Sequence, residues 1–190
     1  MIKKFLKLVT IAIASVYMIG CGYVVNNYGA SVENVESLRA VGSVAVSVGD
    51  FTSYKPGLNS IGCRAAGPVS TPNKESFEGY IKNALVSELK LAGIYSDNSS
   101  VQISAHLEKI DFNSNIGAGK WVFNLTVKGA DSSSVGVNST HEFSTNWVAD
   151  KACQQVAQAF SPAVQKLIGD VIKNPEFKNL VKGSISTAKY

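Results

Sequence analysis

The feature that most restricts the fold is a series of three stretches, all between residues 101 and 147, in which apolar and polar residues alternate. Strict alternation puts every second side chain on one face, so each stretch predicts a strand with one buried face. In the first stretch the phase slips near Glu108, which predicts a β-bulge there. The inward-facing positions are Val101, Ile103, Ala105, Leu107, Ile110 and Phe112; Trp121, Phe123, Leu125 and Val127; and Val135, Val137, His141, Phe143 and Trp147.

Two helices and one further strand complete the pattern. Apolar residues recur at helical spacing over 74–92 and again over 150–173. Val44, Val46 and Val48 alternate with small residues and predict a strand over Val41–Asp50. The sequence therefore predicts the order βαβββα. This is an α+β fold in which an antiparallel-rich four-stranded sheet carries both helices on one face.

The first 20 residues have the composition of an export signal. Three lysines precede an apolar run of about 12 residues, which is shorter than the roughly 20 that a membrane-spanning helix needs. The run ends at Met18-Ile19-Gly20-Cys21, which resembles the lipobox of bacterial lipoproteins. In that class the cysteine receives a diacylglycerol and further acylation, such as palmitate, so the resemblance implies lipidation at Cys21. The alternative is an ordinary signal peptide with an incidental cysteine.

These features divide the chain into a signal peptide (1–20), a lipidated tether (21–41), a single α+β domain (42–173) and a C-terminal tail (174–190). Removing the signal removes 3 of the 18 basic residues, which leaves 15 against 14 acidic residues and a net charge of +1. This small charge argues against nucleic acid as a partner. It leaves the lipid on Cys21 as the membrane contact.

Two cysteines, Cys63 and Cys153, remain once Cys21 is lipidated. A pair of cysteines in an exported chain predicts a disulfide. It would join a Gly- and Pro-rich loop over 53–73 to the start of the second predicted helix. The alternative is two buried free thiols.

The lipobox and the order of elements together resemble the small periplasmic lipoproteins of Gram-negative bacteria. These include YajG-like proteins, the auxiliary lipoproteins of ABC-type lipid transport systems and, more distantly, the lipopolysaccharide-assembly lipoprotein LptE. Four stretches resemble an uncharacterised proteobacterial lipoprotein group: Cys63–Pro68, Phe77–Gly93, Ala152–Gln155 and Ala159–Val164. Because Gly22 and not Asp follows the lipid site, the resemblance implies an outer-membrane lipoprotein whose domain faces the periplasm.

No pattern of residues indicates catalysis, a metal site or a cofactor site. His106 and His141 fall on different predicted strands and opposite faces, and no Cys/His spacing fits zinc. Glu108, Asp111 and Glu142 could meet across neighbouring strands, so the alternative function is a hydrolase of cell-wall or lipid substrates. A third class, a ligand carrier, requires an apolar cavity between helices and sheet.

The favoured function is a non-catalytic binding or assembly accessory with a protein partner in the cell envelope. An open sheet leaves unpaired N–H and C=O groups along its edge strands, where a partner strand can pair. The first strand carries the small residues Ser43 and Ser47 on its predicted outer side, and Arg64 lies in the neighbouring loop. We therefore expect a partner to dock along this edge and contact Ser43, Ser47 and Arg64.

Overall fold

The structure, a computed structural model, describes residues 22–42 and 44–182. Cys21, the predicted signal peptide and Ser43 lie outside the described residues. The elements, in chain order, are β1 (Tyr23–Val24), α1 (Val32–Arg39), β2 (Ser47–Ser53), β3 (Ser60–Cys63), β4 (Gly67–Ser70), a 3-10 turn (Pro72–Lys74), α2 (Phe77–Ala92), β5 (Gln102–Asn113), β6 (Gly119–Gly129), β7 (Ser134–Phe143), α3 (Ala149–Lys173) and α4 (Pro175–Lys182).

The main sheet has four strands in the order β2-β5-β6-β7. The strands β5, β6 and β7 pair antiparallel, whereas β2 pairs parallel to β5 because β3, β4 and α2 cross over between them. The register shifts between Leu107 and Lys109, which confirms the bulge predicted near Glu108. The predicted α+β class is confirmed.

The core lies between this sheet and the helices α2 and α3. At its centre is Trp121, fully buried, whose ring packs 4.8 Å from that of Phe160 and whose Nε1–H donates to the carbonyl of Val156 at 2.9 Å. Phe77 and Phe123 pack around the same rings. Aromatic side chains of this size fill the space between sheet and helices.

The segment 53–73, predicted as a long loop, forms a hairpin instead. Strands β3 and β4 pair antiparallel, and β1 adds parallel to β4 to give a three-stranded sheet. The predicted disulfide between Cys63 and Cys153 is present, with the two Cα atoms 5.8 Å apart. It fastens this hairpin to the second turn of α3.

Two segments predicted to be loose are packed on the core, so those predictions are wrong for the residues the structure describes. In the expected tether, α1 buries Leu38 completely and Val25 is 2% exposed. In the expected tail, α4 buries Phe177 and Leu180, each 1% exposed. None of the helices in residues 22–42 and 44–182 combines the length and hydropathy that a membrane span requires.

Candidate functional site

The expected docking residues do not form one surface. Ser43 lies outside the described residues, and Ser47 is only 4% exposed, with its hydroxyl donating to the carbonyl of Ser99 at 3.1 Å. The predicted outward position of Ser47 is therefore wrong. The strand begins at Ser47 and not at Val41, so the alternation that placed Ser47 on the outer side does not hold at its start.

The strand β2 lies at an edge of the main sheet, as expected, but part of that edge is blocked. The residue before β2 is already paired, because Val46 N donates to the carbonyl of Ile94 at 2.7 Å. A register shift between Val48 and Phe51 then interrupts the ladder, with the exposed Asp50 inside the irregular stretch. Bulges and charges are features that protect edge strands from pairing.

Arg64 is far from Ser47 and already has internal partners. Ser47 pairs with Gln102 at the start of β5, whereas Arg64 contacts Ser114 just beyond its end, about 40 Å away at about 3.3 Å per residue. The guanidinium donates to Ser114 Oγ at 3.1 Å and to the carbonyl oxygens of Trp147, at 3.1 Å, and Asn146, at 3.3 Å. It also donates to the carbonyl of Ser114. Arg64 therefore holds loops together, a role that its position beside Cys63 did not reveal.

The three carboxylates of the hydrolase alternative are not brought together. Glu108 and Asp111 are exposed on β5, and Glu108 accepts a hydrogen bond from Thr126 at 2.5 Å. Glu142 is exposed on β7 opposite Lys120, with β6 between it and the other two. Two strand spacings separate β5 from β7 by about 10 Å. Within the described residues, no group of three or more His, Cys, Asp or Glu side chains is placed to hold a metal ion.

The other edge strand, β7, is long and regular. Ten consecutive residues, Ser134–Phe143, pair with β6 without a register shift. Two hydrogen bonds just outside the ends of β7 show which of its residues bond to β6. Gly129 N donates to the carbonyl of Ser133, and Gly117 N donates to the carbonyl of Thr145. Odd-numbered residues of β7 therefore bond to β6, and even-numbered residues point their N–H and C=O groups outward. The outward residues are Ser134, Gly136, Asn138, Thr140 and Glu142.

A polar groove of about 490 Å³ lies between the inner side of β7 and the helices α1 and α3. Inside it Lys166 Nζ lies 2.7 Å from Asp170 Oδ2, which also accepts a hydrogen bond from Ser139 at 2.6 Å. The groove thus offers charges of both signs beside the outward backbone groups of β7, with which no strand of residues 22–42 and 44–182 pairs. Its lining residues are Ser31, Glu33, Asn34, His141, Pro162, Gln165, Lys166, Gly169, Asp170 and Lys173.

The pKa values of two side chains that line the groove, His141 and Glu33, are lowered. Burial lowers the pKa of His141, and the nearby Lys166 ammonium lowers it further. The hydrogen bond from Lys173, at 2.5 Å, lowers the pKa of Glu33. The groove therefore presents a neutral imidazole between fixed charges at neutral pH.

A buried carboxylate, Glu88 of α2, fixes the α1 wall of the groove. Its Oε1 accepts hydrogen bonds from Tyr28 Oη, from Ser31 N at 3.0 Å and from Asn34 Nδ2 at 3.2 Å. Glu88 is 0% exposed. The pKa of Tyr28 is raised by the burial of its own side chain and by its hydrogen bond to Glu88. Because a buried polar group requires hydrogen-bond partners, these bonds tie the segment of Tyr28, Ser31 and Asn34 to α2.

Trp147, predicted to face the core as part of the last strand, is 76% exposed. The strand ends at Phe143, so the alternation does not extend to Trp147. Ile116, in the loop between β5 and β6, is 75% exposed. Residue spacing misplaced Trp147 and gave no signal for Ile116, since both side chains lie in irregular loops.

The comparisons with known proteins concern the fold. The structure is similar to the crystal structure of protein XCC0632 from Xanthomonas campestris, described as a DUF330 family protein, with a TM-score of 0.56 and 9% sequence identity. The similarity covers 88% of this chain and 100% of that one. No family model matches the sequence, and no curated protein sequence is significantly similar to it. The chain therefore shares its α+β fold with a bacterial DUF330 protein.

Proposed function

We propose that this chain is a lipid-anchored lipoprotein of the outer membrane that binds an envelope protein in the periplasm and performs no catalysis. The lipobox-like end at Cys21 supports the anchor. The resemblance to YajG-like proteins and to auxiliary lipoproteins of ABC-type lipid transport supports an accessory role. The carboxylates Glu108, Asp111 and Glu142 receive no chemical role in this proposal, since they lie dispersed on an open face.

The partner docks by adding a strand to β7. One observation carries this proposal: β7 is a ten-residue edge strand without a bulge, whose outward residues are small and uncharged except Glu142. Main-chain hydrogen bonds along such an edge provide affinity, and the adjoining groove selects the partner's side chains. The blocked edge at β2 makes β7 the better docking strand.

The test compares two substitutions at one outward position. Asn138→Pro removes an N–H that β6 does not use, so the fold should tolerate it while the docking edge loses a donor. Asn138→Ala keeps that N–H and serves as the matched control. A photocrosslinker at Thr140 should capture a partner in cells, and Asn138→Pro should reduce the yield about tenfold, which corresponds to roughly 1.4 kcal/mol of lost binding. Asn138→Ala should leave the yield close to wild type.

A crosslinker at Asp50 measures, in the same experiment, whether a partner binds at the β2 edge. Deletion of residues 183–190 tests whether the end of the chain itself occupies the β7 edge. Capture at Asp50 that persists in Asn138→Pro, without capture at Thr140, would contradict docking on β7. An equal yield for Asn138→Pro and Asn138→Ala would contradict strand addition. If amide substitutions of Glu108, Asp111 and Glu142 abolish the cellular phenotype and Asn138→Pro does not, the hydrolase function is the correct one.

A further inference from the structure

Two large apolar side chains are exposed on neighbouring loops at one end of the main sheet. Ile116, between β5 and β6, is 75% exposed, and Trp147, between β7 and α3, is 76% exposed. The loops are bonded to each other, because Gly117 N donates to the carbonyl of Thr145 at 3.3 Å and Thr145 Oγ1 donates to that of Asn115. Exposed apolar side chains gathered in one place indicate an interaction surface.

These loops are held in place from the hairpin of β3 and β4. Arg64 donates to the carbonyls of Ser114 and Trp147, so one guanidinium bonds to both loops. The hairpin is itself fixed to α3 by the disulfide of Cys63 and Cys153. Hydrogen bonds from a charged donor are among the strong ones. The backbone beneath Ile116 and Trp147 is therefore supported, and their exposure follows from the fold.

The described chain begins at the same end of the molecule. Tyr23 Oη donates to Asp150 Oδ1 at 2.6 Å, and Asp150 comes three residues after Trp147. A Cβ placed on Gly22 would lie 3.3 Å from the carbonyl oxygen of Pro68, in the hairpin that carries Arg64. Successive Cα atoms are about 3.8 Å apart. Gly22, the residue that follows Cys21 in the sequence, therefore lies near the loops that expose Ile116 and Trp147.

We propose that Ile116 and Trp147 form a second membrane contact, which enters the interfacial layer of the bilayer beside the lipid on Cys21. This inference rests on the proposed lipidation. Tryptophan favours the headgroup region because its ring is apolar and its N–H is polar. The nearby charges are of both signs, Arg64 and Lys151 against Asp150, so the contact does not require anionic lipid.

A second contact has a mechanical consequence. A single lipidated residue leaves a domain free to rotate about its attachment, whereas two contacts fix which end faces the bilayer. The strand β7 ends at Phe143, four residues before Trp147. The C-terminal end of β7 therefore points toward the membrane, and its outward edge stands open to the periplasm.

The test measures tryptophan emission of the full lipoprotein, purified in detergent and reconstituted into phosphatidylcholine vesicles with or without brominated acyl chains. The chain has two tryptophans, and Trp121 is fully buried, so it supplies a constant background. We expect brominated lipid to quench part of the emission and Trp147→Ala to remove that quenchable part. Ile116→Ser should weaken the quenching. Leu91→Ser, at a site on α2 that is 57% exposed, is the matched control and should not.

Three results would overturn the second contact. Emission from Trp147 that responds to acrylamide in water but not to brominated lipid places the side chain in solvent. Emission protected from both quenchers would show that Trp147 is covered by protein. Equal quenching by brominated lipid in Trp147→Ala would show that the quenched emission does not come from Trp147. Acyl labelling of the same samples separates the two proposals: an unlabelled Cys21 defeats both, whereas a labelled protein with unquenched Trp147 defeats only the second contact.

Discussion

At the scale of single residues, Gly169 of α3 determines how closely α1 can pack. A Cβ at this position would lie 2.7 Å from Asn34 Oδ1, and Asn34 cannot swing away because its Nδ2 donates to Glu88 and to the carbonyl of Gln165. Overpacking of this kind usually costs about 1–3 kcal/mol. The higher helix propensity of Ala offsets about 1 kcal/mol of that cost, so we expect Gly169→Ala to lower the free energy of unfolding by up to about 2 kcal/mol.

Denaturant unfolding checks this prediction, and Gly136→Ala is the matched control. A Cβ on Gly136 would meet no atom within 4 Å, and the residue lies on the exposed side of β7. That variant should be as stable as wild type or slightly more stable, because Gly weakens strands. Equal stability of the Gly169 and Gly136 variants would show that α1 can move without loss.

His141 predicts a pH dependence of stability. Burial, and then Lys166, lower its pKa below the ordinary value of 6.5, so the unfolded chain takes up a proton before the folded chain does. The free energy of unfolding should therefore fall as the pH drops below about 6.5, and His141→Gln should reduce that slope. Unfolding curves between pH 7.5 and 5.5 provide the measurement. A slope that His141→Gln leaves unchanged would assign the dependence to other groups.

Glu88 shows what residue spacing can and cannot reveal. It follows Ala84 by four residues and Leu85 by three, so it lies on the apolar face of α2, and its burial could have been read from the sequence. Its partners could not, because Tyr28 and Asn34 belong to a segment without strong periodicity. The positions of Arg64 and Ser47 were missed for a related reason. Both depend on how distant segments meet.

At the scale of elements, the hairpin of β3 and β4 depends on its disulfide. The cross-link spans 90 residues of sequence, which in the chain-entropy model contributes about 4–5 kcal/mol to stability. The double variant Cys63→Ser/Cys153→Ser should lose about this much free energy of unfolding, measured in denaturant beside the wild type. A loss under about 1 kcal/mol would indicate that packing of the hairpin, and not the cross-link, dominates.

The elements that were predicted correctly share a long, regular pattern. The strands β5, β6 and β7 and the helices α2 and α3 are each ten or more residues long and carry a regular apolar spacing. The missed elements are short: β1 has 2 residues, β3 and β4 have 4 each, and α1 and α4 have 8 each. Segments of that length owe their structure to tertiary contacts, such as the pairing of β1 with β4.

At the scale of the whole molecule, the two proposals divide the surface between two partners. The loops with Ile116 and Trp147 lie at the end where the chain leaves toward Cys21. The edge of β7 and the polar groove extend from that end toward Ser134, at the opposite end of the strand. A protein partner could thus add its strand to β7 while the domain rests on the membrane, since neither contact requires residues of the other.

Amide hydrogen exchange of the complex shows residue by residue whether a partner strand pairs with β7. Outward N–H groups of Asn138 and Thr140 bond to nothing in β6, whereas Ser139 is already bonded within the sheet. On partner binding, Asn138 and Thr140 should gain protection of at least about tenfold while Ser139 and the exposed Asp50 of β2 change little. Protection at Asp50 with unchanged exchange at Asn138 and Thr140 would place the partner on β2 and rule out docking on β7.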